Sequence, residues 1–379
     1  MEAEKKRLAV DYAESHRDES LELLRTLGKI PAPSHHEEQR AAFCRTWFLE
    51  HGAEDVTIDC AKNVICRIGG GECDEYVVFA AHTDVVFDDL EPLPVREDEE
   101  KLYAPGIGDD TSNLVNLMMA AKYLLENKLK TTCGILIVAN ACEEGLGNLD
   151  GTKELFAAYG SRIKAFYSFD GYTPQCCSSA VGSYRYRINC RTTGGHSYLN
   201  FGEPNAIEIL CGLVKKLYAV QTPEEFKTTY NVGKIEGGST VNSVAEEAYI
   251  LYEFRSTSQA CLEKMEKLFN EVVDSCRGNG GELTVELLGI RPGNGAVDSE
   301  ELRKFTAQNA EIIHEFYEEE LDFAAYSTDS NVPLSLGIMA NTIGTVIGGL
   351  AHTREEWVQK SSLKEGLKIV LSLMLQYVK

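Results

Sequence analysis

Five short segments of the chain end in side chains able to bind a cation or move a proton. Val77-Val-Phe-Ala-Ala81 is followed by His82-Thr83-Asp84, and Ile135-Leu-Ile-Val138 leads into Cys142-Glu143-Glu144-Gly145. Phe166-Tyr-Ser-Phe169 ends in Asp170-Gly171. Gly106-Ile-Gly-Asp-Asp-Thr111 enters a helical stretch, and Thr342-Ile-Gly-Thr-Val-Ile347 leads through glycines to Ala351-His352-Thr353. Singly, each has a plain structural explanation: a satisfied His–Asp pair, solvated glutamates, an aspartate beside a helix dipole, a loop histidine. Together they predict one cleft, because open α/β sheets bind ligands beyond the carboxyl ends of their strands.

Electrostatics then constrains the chemistry. Asp84, Asp109, Glu143, Glu144 and Asp170 in one cleft would repel one another, raising several pKa values or opening the site. Cations relieve that repulsion. Two Zn²⁺ bring four positive charges; Asp109, Glu144, Asp170 and a bridging hydroxide bring four negative ones, leaving Glu143 as a spare base. Histidine and carboxylate ligands suit Zn²⁺, with Mn²⁺ or Co²⁺ as alternatives. Two such ions ~3.5–4 Å apart activate a water and polarise a carbonyl.

The elements that must position these groups follow from periodicity. Glu19 to Gly52 reads as helical, interrupted at Ile30-Pro-Ala-Pro-Ser34. The runs at 76–81, 134–139 and 164–169 read as buried strands, with a helix from Leu114 to about Leu129 between the first two, capped from Thr111-Ser112-Asn113. Continuously apolar strands alternating with helices predict an α/β fold, a mainly parallel sheet with helices on both faces. From Gly182 to about Gly295 the pattern changes. Alternating strands and two helices run in the order β-α-β-β-α-β, which predicts a ferredoxin-like α+β domain. The expected organisation is a discontinuous catalytic domain, 1–182 and 296–379, with a domain inserted at 183–295. The chain closes with an apolar run near Ala340–Ile347 and a helix after His352.

Composition excludes other classes. The 379 residues carry 37 basic and 59 acidic side chains, a net charge of −22, which repels phosphate backbones and anionic lipid. Neither a nucleic-acid nor a membrane partner is expected. Apolar residues make up 44% and charged residues 25%, as in ordinary soluble proteins. The charged N-terminus lacks an apolar signal core, and the 12 cysteines show no CxxC pair, so reduced thiols and a cytoplasmic location are expected.

The set His82-x-Asp84, Gly106-x-Gly-Asp-Asp110, Glu143-Glu144, Asp170, Gly194-Gly-His-Ser197, Ser327-Thr-Asp-Ser-Asn331 and Ala351-His-Thr353 resembles, in order and over nearly the whole chain, a known family. This is the co-catalytic di-zinc metallopeptidase family of the peptidase T (tripeptide aminopeptidase), aminoacylase and succinyl-diaminopimelate desuccinylase type. The resemblance implies that His82 and Asp170 bind one metal, Glu144 and His352 the other, and that Asp109 bridges them. It implies that Asp84 bonds the far nitrogen of His82 and that Glu143 shuttles the proton. A cis peptide after Asp109 is implied as well. The inserted domain looks like the family's lid and dimerisation domain, so a homodimer is implied. His196 would stabilise the oxyanion there, in its own subunit or in the partner's. Arg255 would pair with a substrate carboxylate, and Asn242 would add a polar contact. Two departures stand out. Thr111 occupies a place where many members carry lysine, and Cys142 precedes the base.

The resemblance thus implies two Zn²⁺ per chain and a hydrolase for a peptide bond in short peptides, aminopeptidase- or tripeptidase-like. An N-acyl amino acid deacylase needs the same carbonyl polarisation and the same base, so the motif does not separate the two. Two further classes compete. A cysteine hydrolase using Cys142, or Cys176 and Cys177, needs a nearby histidine and a lowered thiol pKa, which the acids oppose. A non-catalytic peptide-binding relative should have lost a ligand or the base, and none is missing. His35 and His36 read as part of a helix entry.

Overall fold

The computed structural model describes residues 3–69 and 74–379. The chain divides into two compact units, one formed by Met1–Ala180 with Ala296–Lys379 and the other by Val181–Gly295.

The first unit is built on a seven-stranded sheet. Its centre is four parallel strands in the spatial order Gly134–Asn140, Tyr76–His82, Ile163–Phe169, Met339–Ile343. Antiparallel strands Val64–Gly69 and Val56–Ile58 extend one edge, and Cys176–Cys177 the other. Tyr76–His82 and Gly134–Asn140 are buried throughout, because alternate side chains enter two different cores. Val77, Phe79, Ile135, Ile137 and Tyr167 pack with residues of the helices Asn113–Glu126 and Lys360–Leu375. Val78, Ala80, Leu136, Val138 and Phe166 pack instead with Leu155 and Phe156 of Asp150–Tyr159. Each fully buried Val, Leu, Ile or Phe among them contributes ~1.5–3 kcal/mol, and burial on both faces is why these strands read as unbroken apolar runs. Register matters for the site: His82 lies opposite Asn140, so both strands deliver their next residues at the same edge.

The second unit has the expected β-α-β-β-α-β order: Gly182–Arg191, Ala206–Leu217, Thr228–Gly237, Glu247–Ser256, Gln259–Asp274 and Glu282–Arg291. Its antiparallel sheet runs Thr228–Gly237, Glu247–Ser256, Gly182–Arg191, Glu282–Arg291. Tyr186, Ile188, Ile250 and Phe254 from the sheet pack with Leu210, Leu213, Met265 and Phe269 from the helices. Asn205 accepts from the backbone N–H groups of Ile207 and Glu208, and Ser258 from that of Cys261, so both helices start on a side-chain cap.

Three local details go beyond the sequence reading or correct it. The closing helix expected after His352 is present and starts at Lys360, but a short strand, Trp357–Gln359, precedes it and joins Gly348–Gly349, Lys101–Tyr103 and Arg96–Glu97 in a separate sheet. Thr111 and Ser112 do not cap the helix at Asn113. Their hydroxyls donate backwards to the carbonyls of Gly106 and Ile107, closing an irregular turn that carries Asp109. A helix the periodicity did not predict, Ala3–Ser15, precedes the first expected one.

Candidate active site

The expected ligands meet at the carboxyl edge of the parallel sheet. His82 is the last residue of its strand, Glu143 and Glu144 follow Gly134–Asn140, and Asp170 follows Ile163–Phe169. Asp109 sits in the turn Ile107–Ser112, where its own backbone leaves the helical region (φ −109°, ψ 86°) and its peptide to Asp110 is cis. His352 comes from the loop between Gly348–Gly349 and Trp357–Gln359, with a left-handed backbone (φ 61°).

Asp109 is the hub. Its Oδ1 lies 3.0 Å from His82 Nε2, and the same nitrogen lies 3.9 Å from Asp170 Oδ1. Its Oδ2 lies 3.3 Å from His352 Nε2, which is 3.2 Å from Glu144 Oε1. The ligand atoms of His82, Asp109 and Asp170 form one group of metal-binding size, and those of Asp109, Glu144 and His352 form a second. Glu143 offers an oxygen within reach of His82 and Glu144.

These residues fit cations by their donor chemistry. His82 Nδ1 lies 3.0 Å from the carbonyl oxygen of Asp84, which can only accept, so Nδ1 carries the proton. Nε2 then aims a lone pair at two carboxylates. Glu144 Oε1 is buried and faces His352 Nε2 at 3.2 Å. Acceptors converging on acceptors are satisfied by a metal ion, or by protons in its place. Titration follows the same logic. Burial opposes charge on His82, yet Asp110, Asp109 and Asp84 hold its pKa well above normal. Hydrogen bonds to Asp109 and Glu144 push His352 up to about 11. Burial raises Glu144 to about 7, and it raises Asp170 as well, with the Asp109 charge second.

Asp84 reaches the far nitrogen of His82 by two routes, its main-chain carbonyl at 3.0 Å and its carboxylate at 3.4 Å. That carboxylate also accepts from the backbone N–H groups of Glu143 and Glu144 and from the Ser34 hydroxyl. Two main-chain donors are already in place at its two oxygens, which fixes where it points.

Four buried groups were given no role by sequence reasoning. Asp110 accepts from the His82 backbone N–H at 2.8 Å. Asp329, in the Ser327–Asn331 segment, accepts from Asn140 and Thr152; burial, then the Glu143 charge, raises it to about 7. Glu356 accepts from three backbone N–H groups of the Asp109 turn. Arg40 is fully buried and donates to Thr111 Oγ1 and the Thr83 carbonyl. Charges far apart in sequence gave no periodic signal for any of them.

His35, set aside as a helix entry, lies with Nδ1 3.3 Å from Cys142 Sγ. The histidine a thiol nucleophile needs is therefore present. The thiol is not activated: burial and Glu37 push its pKa far upward.

The remaining three residues lie in the second unit. His196 is exposed, on a short strand pairing Gly195–His196 with Ser243–Val244, and its Nδ1 accepts from the backbone N–H of Tyr198. Asn242 is adjacent; its carbonyl accepts from Ser197 N–H. Arg255 forks onto Glu253, at 2.9 and 3.1 Å.

Comparison with known proteins gives one family description, Peptidase family M20/M25/M40, matching residues 78–376. The uncharacterised protein YqjE of Bacillus subtilis strain 168 is 26% identical, over 94% of this chain and 96% of its own length. A tripeptidase from Staphylococcus aureus superposes with a TM-score of 0.74 at 20% identity, covering 94% of this chain and 97% of that one. An M20 family metallo-carboxypeptidase from Sulfolobus solfataricus also gives 0.74, at 16% identity, covering 95% and 99%. At these identities the two structures share the fold with this chain.

Proposed function

The chain belongs to peptidase family M20/M25/M40 and is a hydrolase, and from that premise we propose that it cleaves a peptide bond in short peptides, as an aminopeptidase or tripeptidase, using two Zn²⁺ per chain. The observation that carries this reading is the division of Asp109: one oxygen faces His82 and Asp170, the other faces His352 and Glu144. The cations would polarise the scissile carbonyl and lower the pKa of a water. Glu143 accepts the proton of the attacking water as its oxygen bonds the carbonyl carbon. It then delivers that proton to the amine nitrogen as the C–N bond breaks. Asp84 holds Glu143 and Glu144 in register through their backbone N–H groups. His196 is assigned to the oxyanion, supplied by a partner subunit or its own, and Asn242 to a polar contact nearby. Arg255 is assigned to a substrate carboxylate, for which it would exchange Glu253.

The same geometry serves an N-acyl amino acid deacylase, which is the second reading. A hydrolysis screen by mass spectrometry separates them. The panel would mix free-amine di- and tripeptides with N-acetyl and N-succinyl amino acids, with added Zn²⁺ or Mn²⁺ and with chelator. Metal-dependent release of amino acids from free-amine peptides supports the peptidase; cleavage confined to acylated substrates replaces it with the deacylase. No helix among the described residues is long and apolar enough to cross a membrane. A cytoplasmic homodimer, joined through the inserted unit, completes the reading. Light scattering that returned a monomer at assay concentration would remove the dimer and any action of His196 across subunits.

A further inference from the structure

We propose that Glu356 is a positioning residue that ties the segment carrying His352 to the turn carrying Asp109. The inference rests on the two-cation reading above and extends it to a residue outside the ligand set.

Glu356 is 1% exposed and four positions beyond His352. Its Oε1 accepts from Gly108 N–H at 2.8 Å, Asp109 N–H at 2.7 Å and the Tyr172 hydroxyl at 2.9 Å; its Oε2 accepts from Gly106 N–H at 2.9 Å. Four donors converging on one carboxylate fix both oxygens. Glu356 is held at its own main chain as well, where its carbonyl accepts from Ala104 N–H and its N–H donates to Thr353. A Cβ at Gly108 would lie 2.4 Å from the Tyr172 ring, so glycine there leaves the room in which Tyr172 reaches Glu356. The carboxylate touches no ligand atom. It fixes the backbone from which Asp109 aims one oxygen at His82 and the other at His352. A glutamine at this position has one acceptor oxygen and an NH₂ that must face a backbone N–H, so at least one donor loses its partner.

The test uses Glu356→Gln, Glu356→Asp and, as a control, Glu355→Gln, whose side chain is exposed and pairs with Arg96. Each full-length protein is stripped with chelator and titrated with Co²⁺, following the visible ligand-field bands and the bound metal by elemental analysis. Wild type and Glu355→Gln should bind two Co²⁺. Glu356→Gln should bind Co²⁺ ~10–100-fold more weakly, as other residues supporting metal ligands do, with altered bands. Glu356→Asp, which restores the charge, should recover part of the affinity. Wild-type affinity and spectrum in Glu356→Gln would overturn the inference while leaving the two-cation reading standing. If circular dichroism shows Glu356→Gln unfolded, Tyr172→Phe decides: weaker Co²⁺ binding supports the coupling, and unchanged binding overturns it. A wild-type chain binding fewer than two Co²⁺ would instead remove the two-cation reading, and this inference with it.

Discussion

Asp84 Oδ1 accepts the backbone N–H of Glu143 at 3.0 Å, and Asp84 Oδ2 accepts that of Glu144 at 2.9 Å. One buried carboxylate thus sets the main chain that carries both the proposed base and a proposed ligand. Its own carbonyl, through His82 Nδ1, also fixes the tautomer of His82, a proposed ligand on the neighbouring strand. Burial alone would raise the Asp84 pKa, but His82, Ser34 and the Glu144 N–H hold it below the ordinary value, so Asp84 stays ionised.

Replacing that carboxylate should therefore loosen the site without emptying the core. In Asp84→Asn the new NH₂ must face a backbone N–H, leaving one donor unpaired. Loss of such a supporting group reduces metal affinity or activity ~10–100-fold. Metal titration and steady-state kinetics on the same preparation check this. Wild-type values for both would mean that the Glu143 and Glu144 backbones are held by something else.

Glu143→Gln isolates the proton transfer. The amide keeps the side-chain shape but cannot accept and release a proton, so kcat should fall ~10²–10⁴-fold. The groups His82, Asp109, Asp170 and Asp109, Glu144, His352 remain complete, and bound metal measured after gel filtration should not change. Unchanged kcat in a metal-loaded variant would remove Glu143 from the mechanism.

The parts of this site visible in the sequence were those with a local signal. His82, Glu144 and Asp170 stand immediately beyond apolar strand runs, so the fold class alone places them at one edge. Asp109 and His352 lie in irregular segments, and their roles came from the family resemblance. Glu356, Asp110 and Arg40 were not legible, since a buried charge is defined by partners distant in the chain: Arg40 meets Thr83 and Thr111, and Glu356 meets Gly106. The strand Trp357–Gln359 was missed because three residues are too few to show a period and its partner Lys101–Tyr103 is far upstream.

The Cys142–His35 contact makes a thiol mechanism testable. The Sγ–Nδ1 distance of 3.3 Å satisfies the geometry, while burial and the Glu37 carboxylate keep the thiol protonated. A protonated thiol is a poor nucleophile. Cys142→Ser should therefore retain most of the wild-type kcat under metal-loaded conditions. A loss as large as that in Glu143→Gln would return Cys142 to the centre of the chemistry.

Protons and cations should compete for the site, and the sign of that competition follows from the shifts. In chelated protein the site carboxylates keep His82 and His352 protonated, His352 up to about 11, and burial keeps Glu144 protonated up to about 7. Cation binding must displace these protons, so apparent affinity should rise with pH, and calorimetry in buffers of different ionisation enthalpy should register proton release. Stability of the chelated protein should run the other way. Burial first, then neighbouring acids, lifts Glu144, Glu356 and Asp329 each to about 7, from ordinary carboxyl values of 4.5, 4.5 and 3.8. Between these limits the folded state binds more protons than the unfolded chain, so stability falls as pH rises through about 7. Calorimetric Tm values from pH 5 to 8 should decline for the chelated protein, and the gap to the metal-loaded protein should widen. A chelated Tm that rose across this interval would contradict the assignment of these three acids as buried and protonated.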